Sequence, residues 1–213
     1  MRVIAVPVKS LERAKSRLSE VLEPLERAAL TLAMLEDVLD GCLAQAGWQT
    51  WVVSPDEAVL EVSARRRAKP VVEESPGLLS AVRQVEEETA EADALAVVLG
   101  DVPLLTAETL GRALQTLGPV VAAPSISDGG TNVLLRRPPG VIQARFGTDS
   151  FRKHLDAAEF RGIPIAEVRI PELAYDLDRP QDVPELIARG GRGRTRATCL
   201  ELGLAERLSV RVE

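Results

Sequence analysis

Short β-branched apolar runs alternate along this chain with longer stretches of helical spacing. "RVIAVPV" (2–8) predicts a first strand. From Leu25 to Ala46 apolar residues recur every three or four positions, with Leu25, Ala28, Ala29, Leu32, Leu35, Val38, Leu39 and Leu43 on one face. That spacing predicts a helix, which Gly47 stops. "TWVVS" (50–54) predicts a strand, "PDEAVLEVSARRR" a helix with Pro55 near its start, and "KPVVEE" another strand. A helix is expected from Leu78 to Ala90. "ALAVVLGD" (94–101) is a continuous apolar run, the mark of a central strand covered on both faces. A helix over 107–117, strands at "VVAAPS" and "TNVLLRRP", a helix in "TDSFRKHLDAAEFRG", a strand in "IPIAEVRI" and a short helix in "PQDVPELIARG" complete the pattern.

Strands alternating with helices imply an α/β fold with a mixed, mostly parallel, doubly wound sheet between helices. Residues 119–170 break the rhythm and predict an antiparallel pair. We expect one domain over 1–187. A tail over 188–213 follows, with a Gly/Arg hinge in "RGGRGRTR" (189–196), a helix-like stretch and the strand-like "SVRVE", packed on the same domain. In such folds ligands bind beyond the carboxyl ends of the strands. That singles out 9–17, 100–103, 128–132 and 176–178, all polar stretches directly after or between apolar runs.

Composition narrows the function. A net charge of −6 with 3% aromatic residues is a poor match for nucleic-acid stacking. No apolar run reaches the ~18 residues of a membrane span, and "MRVIAVPV" is too short and too β-branched for a signal peptide. A cytoplasmic protein, monomer or homodimer, is expected. The single histidine, His154, leaves no Cys/His zinc site. Cys42 and Cys199 are expected to be buried free thiols.

The chemistry gathers at the strand ends. Lys9, Arg13, Lys15 and Arg17 crowd behind the first strand of an acidic chain. Cations there, with a helix N-terminus, suit the phosphates of a nucleotide. With no glycine from residue 3 to 40, neither the Walker A nor the GxGxxG pattern is present, and a solvated basic helix face is the competing reading. Asp101 ends the most buried run, where a carboxylate is costly unless it is paired or holds a cation. Mg²⁺, kept by one or two carboxylates plus substrate phosphates, fits. "YDLDRPQDV" adds Asp176 and Asp178; Asp178 with Gln181 also has capping-box spacing, so a cap and a metal ligand are both open to it. In "SDGGTN", Gly129 and Gly130 allow close backbone approach beside Thr131 and Asn132. In "FGTDS", Gly147 precedes a helix start carrying Ser150, an anion-sized spot where Asp149 must point away or cap. Cations for a triphosphate, carboxylates for Mg²⁺ and a second anion site are the equipment of nucleotidyl transfer. A phosphate monoester acceptor, with a second pKa of about 6, needs no general base.

"VPVKSLERAKSRL", Arg27 with Leu30, "GDVPLL", "DGGTN", "FGTDSFRKH" and "DLDRPQDV" resemble, in order and spacing, the 2-phospho-L-lactate guanylyltransferase family. Its members include phosphoenolpyruvate guanylyltransferases of coenzyme F-420 biosynthesis. The resemblance covers roughly residues 1–187; "DGGTN" followed by "FGxxS" is its specific part. It implies a single-domain nucleotidyltransferase (GT-A-like) fold and transfer of GMP from GTP to a phosphorylated three-carbon acid. It also implies that Thr131, Gly147 and Ser150, with Gly130 and Asn132 alongside, bind the acid. Asp101 and Asp178 would hold Mg²⁺, and Lys9, Lys15 and Arg17 would face the triphosphate. One departure is Leu79, where the family's G-L-N carries Asn. The alternatives are the same fold with a sugar-phosphate, polyol-phosphate or molybdopterin acceptor, and a non-catalytic nucleotide-binding protein.

Overall fold

The computed structural model describes residues 1–189 and 193–209. Seven strands form one sheet: β1 (Arg2–Pro7), β2 (Gln49–Ser54), β3 (Lys69–Val72), β4 (Ala94–Val98), β5 (Val120–Pro124), β6 (Thr131–Arg136) and β7 (Ile165–Glu167). Their order is β3-β2-β1-β4-β6-β5-β7. β1 pairs in parallel with β2 and β4, β2 with β3, and β5 with β7, while β6 runs antiparallel to both β4 and β5. The expected break in rhythm is therefore β6. It starts where its neighbours end, so Thr131 and Asn132 lie at the same sheet edge as the carboxyl ends of β1 and β4. The backbone N–H of Leu99 donates to the Asn132 carbonyl at 3.0 Å, fixing that alignment.

β4 is buried at all five positions, as its continuous apolar run requires. Nine helices are described: α1 (Pro24–Leu43), α2 (Glu57–Arg65), α3 (Leu78–Glu88), α4 (Ala107–Gln115), α5 (Ser150–Phe160), α6 (Pro171–Ala174), α7 (Asp182–Arg189), α8 (Arg194–Glu201) and α9 (Leu204–Ser209). One sheet face packs on a core that includes Leu35, Val38, Leu39 and Leu110; the other packs on one that includes Val82, Val85, Phe146 and Ala158. Cys42 and Cys199 are both free and buried, and burial pushes the Cys199 thiol up to about 11.

Two expectations need correction, and a third falls largely outside the described residues. The buried face of α1 is not centred on Leu25, which is 85% exposed; it runs through Leu30, Met34, Leu35, Val38 and Leu39. α1 is covered from two sides, by the sheet and by a third core in which Leu30 and Met34 meet Leu18, Leu22, Tyr175, Leu177, Val183, Leu186, Cys199 and Leu204. A single-stripe reading cannot anticipate two partners. The Gly/Arg stretch is also not a hinge throughout, because Arg194–Arg196 already belong to α8, while 190–192 lie outside the described residues. Asp37, buried on α1, accepts the Arg194 and Thr195 N–H groups at 2.8 Å each and the Thr195 hydroxyl at 2.7 Å, and so caps α8 from across the chain. Of the strand-like "SVRVE", Ser209 ends α9 and 210–213 lie outside the described residues.

Candidate active site

The basic run after β1 forms no long helix. It is a wound loop with a single 3-10 turn at Ser16–Leu18, pinned by Arg27, whose guanidinium donates to the carbonyls of Ala14 at 3.3 Å and Leu22 at 3.0 Å. Lys15 sits in it at φ 50, a left-handed conformation that costs a non-glycine residue roughly 1–2 kcal/mol. The twist turns Lys15 inward. Its side chain is only 6% exposed, and Nζ lies 2.8 Å from Asp101 Oδ2 and 3.5 Å from Asp178 Oδ1. Burial alone lowers a lysine pKa, but Asp101 and Asp178 outweigh it and raise this one. Arg17 pairs with the other Asp178 oxygen from a position 56% exposed. Lys9 and Arg13 are exposed, with no ion pair among the described residues.

Asp101 reaches Lys15 because the preceding Gly100 passes close to β1: a Cβ there would lie 3.1 Å from Val8 Cγ2. The backbone N–H of Leu177 donates to the Asp101 carbonyl at 3.0 Å, seating the "DLD" segment alongside. Leu177 points into the third core, and its neighbours Asp176 and Asp178 face the site. Burial raises the Asp178 carboxyl, but Lys15 and Arg17 outweigh that and hold it below its ordinary value. Asp178 is not a cap. α7 begins four residues later, and Asp182 is the side chain that accepts the Asp178 N–H at 2.8 Å and the Arg179 N–H at 2.6 Å. Asp101 keeps one oxygen, Oδ1, buried without a hydrogen-bond partner.

Asp176 was legible only as a neighbour of Asp178, yet it is the most enclosed carboxylate of the group. It accepts the Ser125 hydroxyl at 2.6 Å and the Ser127 hydroxyl at 3.0 Å, with the Asn132 amide at 3.4 Å. Burial raises its pKa against those donors, and the Asp101 charge adds to the rise. Asn132 thus belongs to the carboxylate cluster, also donating to the Leu173 carbonyl at 3.0 Å.

Thr131, one residue earlier, faces a different group. Thr131 and Ser150 are both 1% exposed, and the Ser150 hydroxyl donates to Thr131 Oγ1 at 3.3 Å. The Ser150 N–H donates to the Gly147 carbonyl at 3.1 Å, so the three residues form one cluster. Gly147 has φ 116, and a Cβ built there would meet nothing within 4 Å: the backbone faces open space. Gly130 closes the preceding turn through its carbonyl, which accepts the Ser125 N–H at 2.9 Å. Asp149 is exposed at φ 51 and makes no side-chain cap; its Oδ1 lies beside Gly129, 3.2 Å from where a Cβ there would sit. Beneath the cluster is His154, fully buried, one helical turn after Ser150 on α5. Its Nδ1 lies 3.0 Å from Thr131 Oγ1, and its Nε2 accepts the Arg145 backbone N–H at 2.9 Å. Burial, aided by Arg136 and Arg145, pushes its pKa down to about 3. The sequence offered a signal for it in the i, i+4 spacing of Ser150 and His154. Leu79 lies in the first turn of α3, beyond the end of β3, and is 37% exposed.

Two clusters therefore share one sheet edge: a cation held among carboxylates, and a pair of buried hydroxyls beside an open glycine. Among solved structures, the fold is similar to a nucleotidyl transferase from Methanothermobacter, with a TM-score of 0.66 at 16% identity, covering 88% of this chain and 97% of that one. It is also similar to a CMP:2-keto-3-deoxy-manno-octonic acid synthetase complexed with CTP, with a TM-score of 0.59 at 15% identity, covering 89% and 98%. A phosphoenolpyruvate guanylyltransferase of Rubrobacter xylanophilus is 40% identical over 197 residues, covering 90% of this chain and 96% of the relative. A 3-phospho-D-glycerate guanylyltransferase of Phenylobacterium zucineum is 40% identical, covering 88% and 89%. A 2-phospho-L-lactate guanylyltransferase of Haloarcula marismortui is 37% identical, covering 86% and 84%. Residues 1–210 match the family described as "Guanylyl transferase CofC like", well past the "DLDRPQDV" segment. With both clusters in place and that match spanning nearly its whole length, the chain belongs to the CofC-like guanylyl transferase family.

Proposed function

We propose that this protein moves GMP from GTP to the phosphate of a phosphorylated three-carbon acid, phosphoenolpyruvate or 2-phospho-L-lactate, releasing pyrophosphate. By family it serves coenzyme F-420 biosynthesis, as a cytoplasmic enzyme. The observation that carries this reading is the buried Lys15 between Asp101 and Asp178, at the same sheet edge as the Thr131–Ser150 hydroxyl pair.

In the reaction, a phosphate oxygen of the acid attacks the α-phosphorus of GTP, and the bond to the β-phosphate bridge breaks. Lys15 and Arg17 supply fixed positive charge toward the triphosphate, and the exposed Lys9 stands free to join them. Asp101 and Asp178 would hold Mg²⁺. The fit is good: Asp101 Oδ1 is a buried oxygen with no other partner, and carboxylate oxygen is the donor that this hard ion takes. Among the described residues no group of three or more His, Cys, Asp or Glu side chains gathers to cage a metal. The remaining ligands would be phosphate and water, as is usual for Mg²⁺. When bound, the ion supplies positive charge at the phosphates. Thr131, Ser150 and the backbone at Gly147 would take the acid, holding its phosphate toward GTP. The acceptor's own ionisation replaces a general base. His154 is not one, since both ring nitrogens are engaged inside the fold.

The test is pyrophosphate release with GTP and Mg²⁺ against phosphoenolpyruvate, 2-phospholactate and 3-phosphoglycerate in parallel. Turnover with one of the first two supports the reading, and turnover with 3-phosphoglycerate alone changes the acceptor. No release with any of them overturns it.

A further inference from the structure

The arrangement around His154 dictates which way the hydrogen on Thr131 points. A backbone N–H can only donate, and that of Arg145 lies 2.9 Å from His154 Nε2. Nε2 therefore carries a lone pair, and in a neutral ring the proton must sit on Nδ1. The low pKa of this buried ring keeps it neutral across the working range. Nδ1 is 3.0 Å from Thr131 Oγ1, so it is the histidine that donates and the threonine that accepts. The Ser150 hydroxyl donates to the same oxygen at 3.3 Å. With both lone pairs of Thr131 Oγ1 occupied, its only remaining bonding capacity is its own O–H, and no acceptor among the described residues takes it. The adjoining backbone at Gly147 borders open space.

We propose that His154 is a positioning residue of the acceptor site: its Nδ1–H locks Thr131 as a hydrogen-bond donor toward the open space, selecting for a ligand oxygen that carries charge and no hydrogen. The inference rests on the reading of Thr131 as an acid-binding residue and deepens it. A threonine hydroxyl left to itself rotates and serves donors and acceptors alike. Here the rotor is fixed before the ligand arrives, which removes part of the ordering cost of binding. The preferred partner is an ionised phosphate or carboxylate oxygen; a ligand presenting an N–H or O–H there meets hydrogen with hydrogen. The contact between His154 and Phe146, edge-on at 5.2 Å between ring centroids, holds the imidazole plane and packs the core, but it assigns no direction to a proton.

Two measurements test this. The chain has one histidine, so the imidazole ¹⁵N spectrum of tag-free wild-type protein reports His154 alone. A protonated Nδ1 with a bare Nε2 is expected, and a protonated Nε2 overturns the proposal without any variant having to fold. The second is steady-state kinetics with GTP, Mg²⁺ and phosphoenolpyruvate or 2-phospholactate. His154→Gln can still accept the Arg145 N–H but brings no donor to Thr131. It should raise the acid KM about tenfold, the worth of one modest hydrogen bond, and leave the GTP KM alone. His154→Asn places an amide N–H near the Nδ1 position and should restore the acid KM to within about threefold of wild type. In a Thr131→Val background, His154→Gln should add no further change, because the hydroxyl it acts through is gone. An unchanged acid KM in His154→Gln, with Thr131→Val raising it, sinks the positioning role. Should Thr131→Val itself leave the acid KM unchanged, the acceptor-site reading fails instead.

Discussion

Acid should destabilise this protein through His154. The perturbation is a shift from pH 7.5 to pH 5, which protonates an ordinary histidine in the unfolded chain but not this one. The folded pKa of about 3 lies below the ordinary 6.5 because the ring is buried and faces Arg136 and Arg145. A depressed folded value means that the unfolded state binds more protons below pH 6.5. The contribution is therefore present in full above 6.5 and is lost as the pH falls from 6.5 toward 3. Each pKa unit corresponds to 1.36 kcal/mol, so the loss is about 2 kcal/mol by pH 5 and about 5 kcal/mol by pH 3. Between pH 7.5 and 5 most carboxylates stay ionised in both states, which makes that window the clean one. The assay is urea unfolding at pH 7.5, 6 and 5, comparing wild type with His154→Asn. Wild type should lose about 2 kcal/mol, or roughly 4–8 °C in Tm for a chain of this size, while the variant's profile over the same range is flatter by that amount. Equal slopes for the two proteins would refute the claim that His154 is held neutral.

Five substitutions address the site directly. Asp101→Asn should keep the fold and lose turnover by about two orders of magnitude or more in pyrophosphate release; near-normal activity in a folded variant would remove Asp101 from the metal site. Lys15→Ala should impair GTP handling and also destabilise, by roughly 3–5 kcal/mol, since it leaves carboxylates facing each other without their buried cation. Arg17→Ala, by contrast, should change stability by less than about 0.5 kcal/mol while still raising the GTP KM; normal GTP kinetics in both variants would make the basic loop structural only. Thr131→Val and Ser150→Ala should each raise the acid KM about tenfold to a hundredfold and spare GTP, as expected for hydrogen bonds to a charged ligand; loss of GTP with retention of acid would mean the two anion sites are reversed.

The strands and the sheet class were legible because period and burial agree: β4 reads as apolar throughout and is buried throughout. The antiparallel β6 could be anticipated from the broken alternation. The four polar stretches at the strand ends come together at one edge of the sheet, because topology alone places them there. What the sequence hid are relations between distant residues. Lys15 reads as one of four clustered cations, with nothing to set it apart, until the chain brings up Asp101, 86 residues on, and Asp178, 163 residues on. Arg13, two positions away and identical in type of charge, stays in solvent. The difference is a left-handed backbone at Lys15, which no propensity predicts for lysine. Asp178 carried a capping spacing that the fold does not use, because Asp182 takes the backbone donors first. His154 counted in the sequence only as evidence against zinc, although its spacing from Ser150 already placed both on one helical face.

The cost of this site explains why the chain continues beyond its motifs. A lysine twisted into the left-handed region, a carboxylate oxygen without a partner and Asp176 buried among hydroxyls all work against folding. Each is held by apolar neighbours in the third core. Leu18 follows Lys15 by three residues and is fully buried; Leu177 lies between Asp176 and Asp178 and is fully buried too. Both pack with Leu30 and Met34 of α1, Val183 and Leu186 of α7, Cys199 of α8 and Leu204 of α9. Burying one leucine contributes roughly 1.5–3 kcal/mol, so a few such side chains offset the strain and the desolvation together. The same core fixes distance as well as energy. The basic loop and the aspartate segment reach the site from opposite ends of the sequence, and they keep register because they rest on a shared apolar floor. Asp37 on α1, by capping α8, holds one side of that floor in place. α8 and α9 make no hydrogen bond to Lys15, Asp101 or Asp178, yet through this core they hold Lys15 against the two carboxylates.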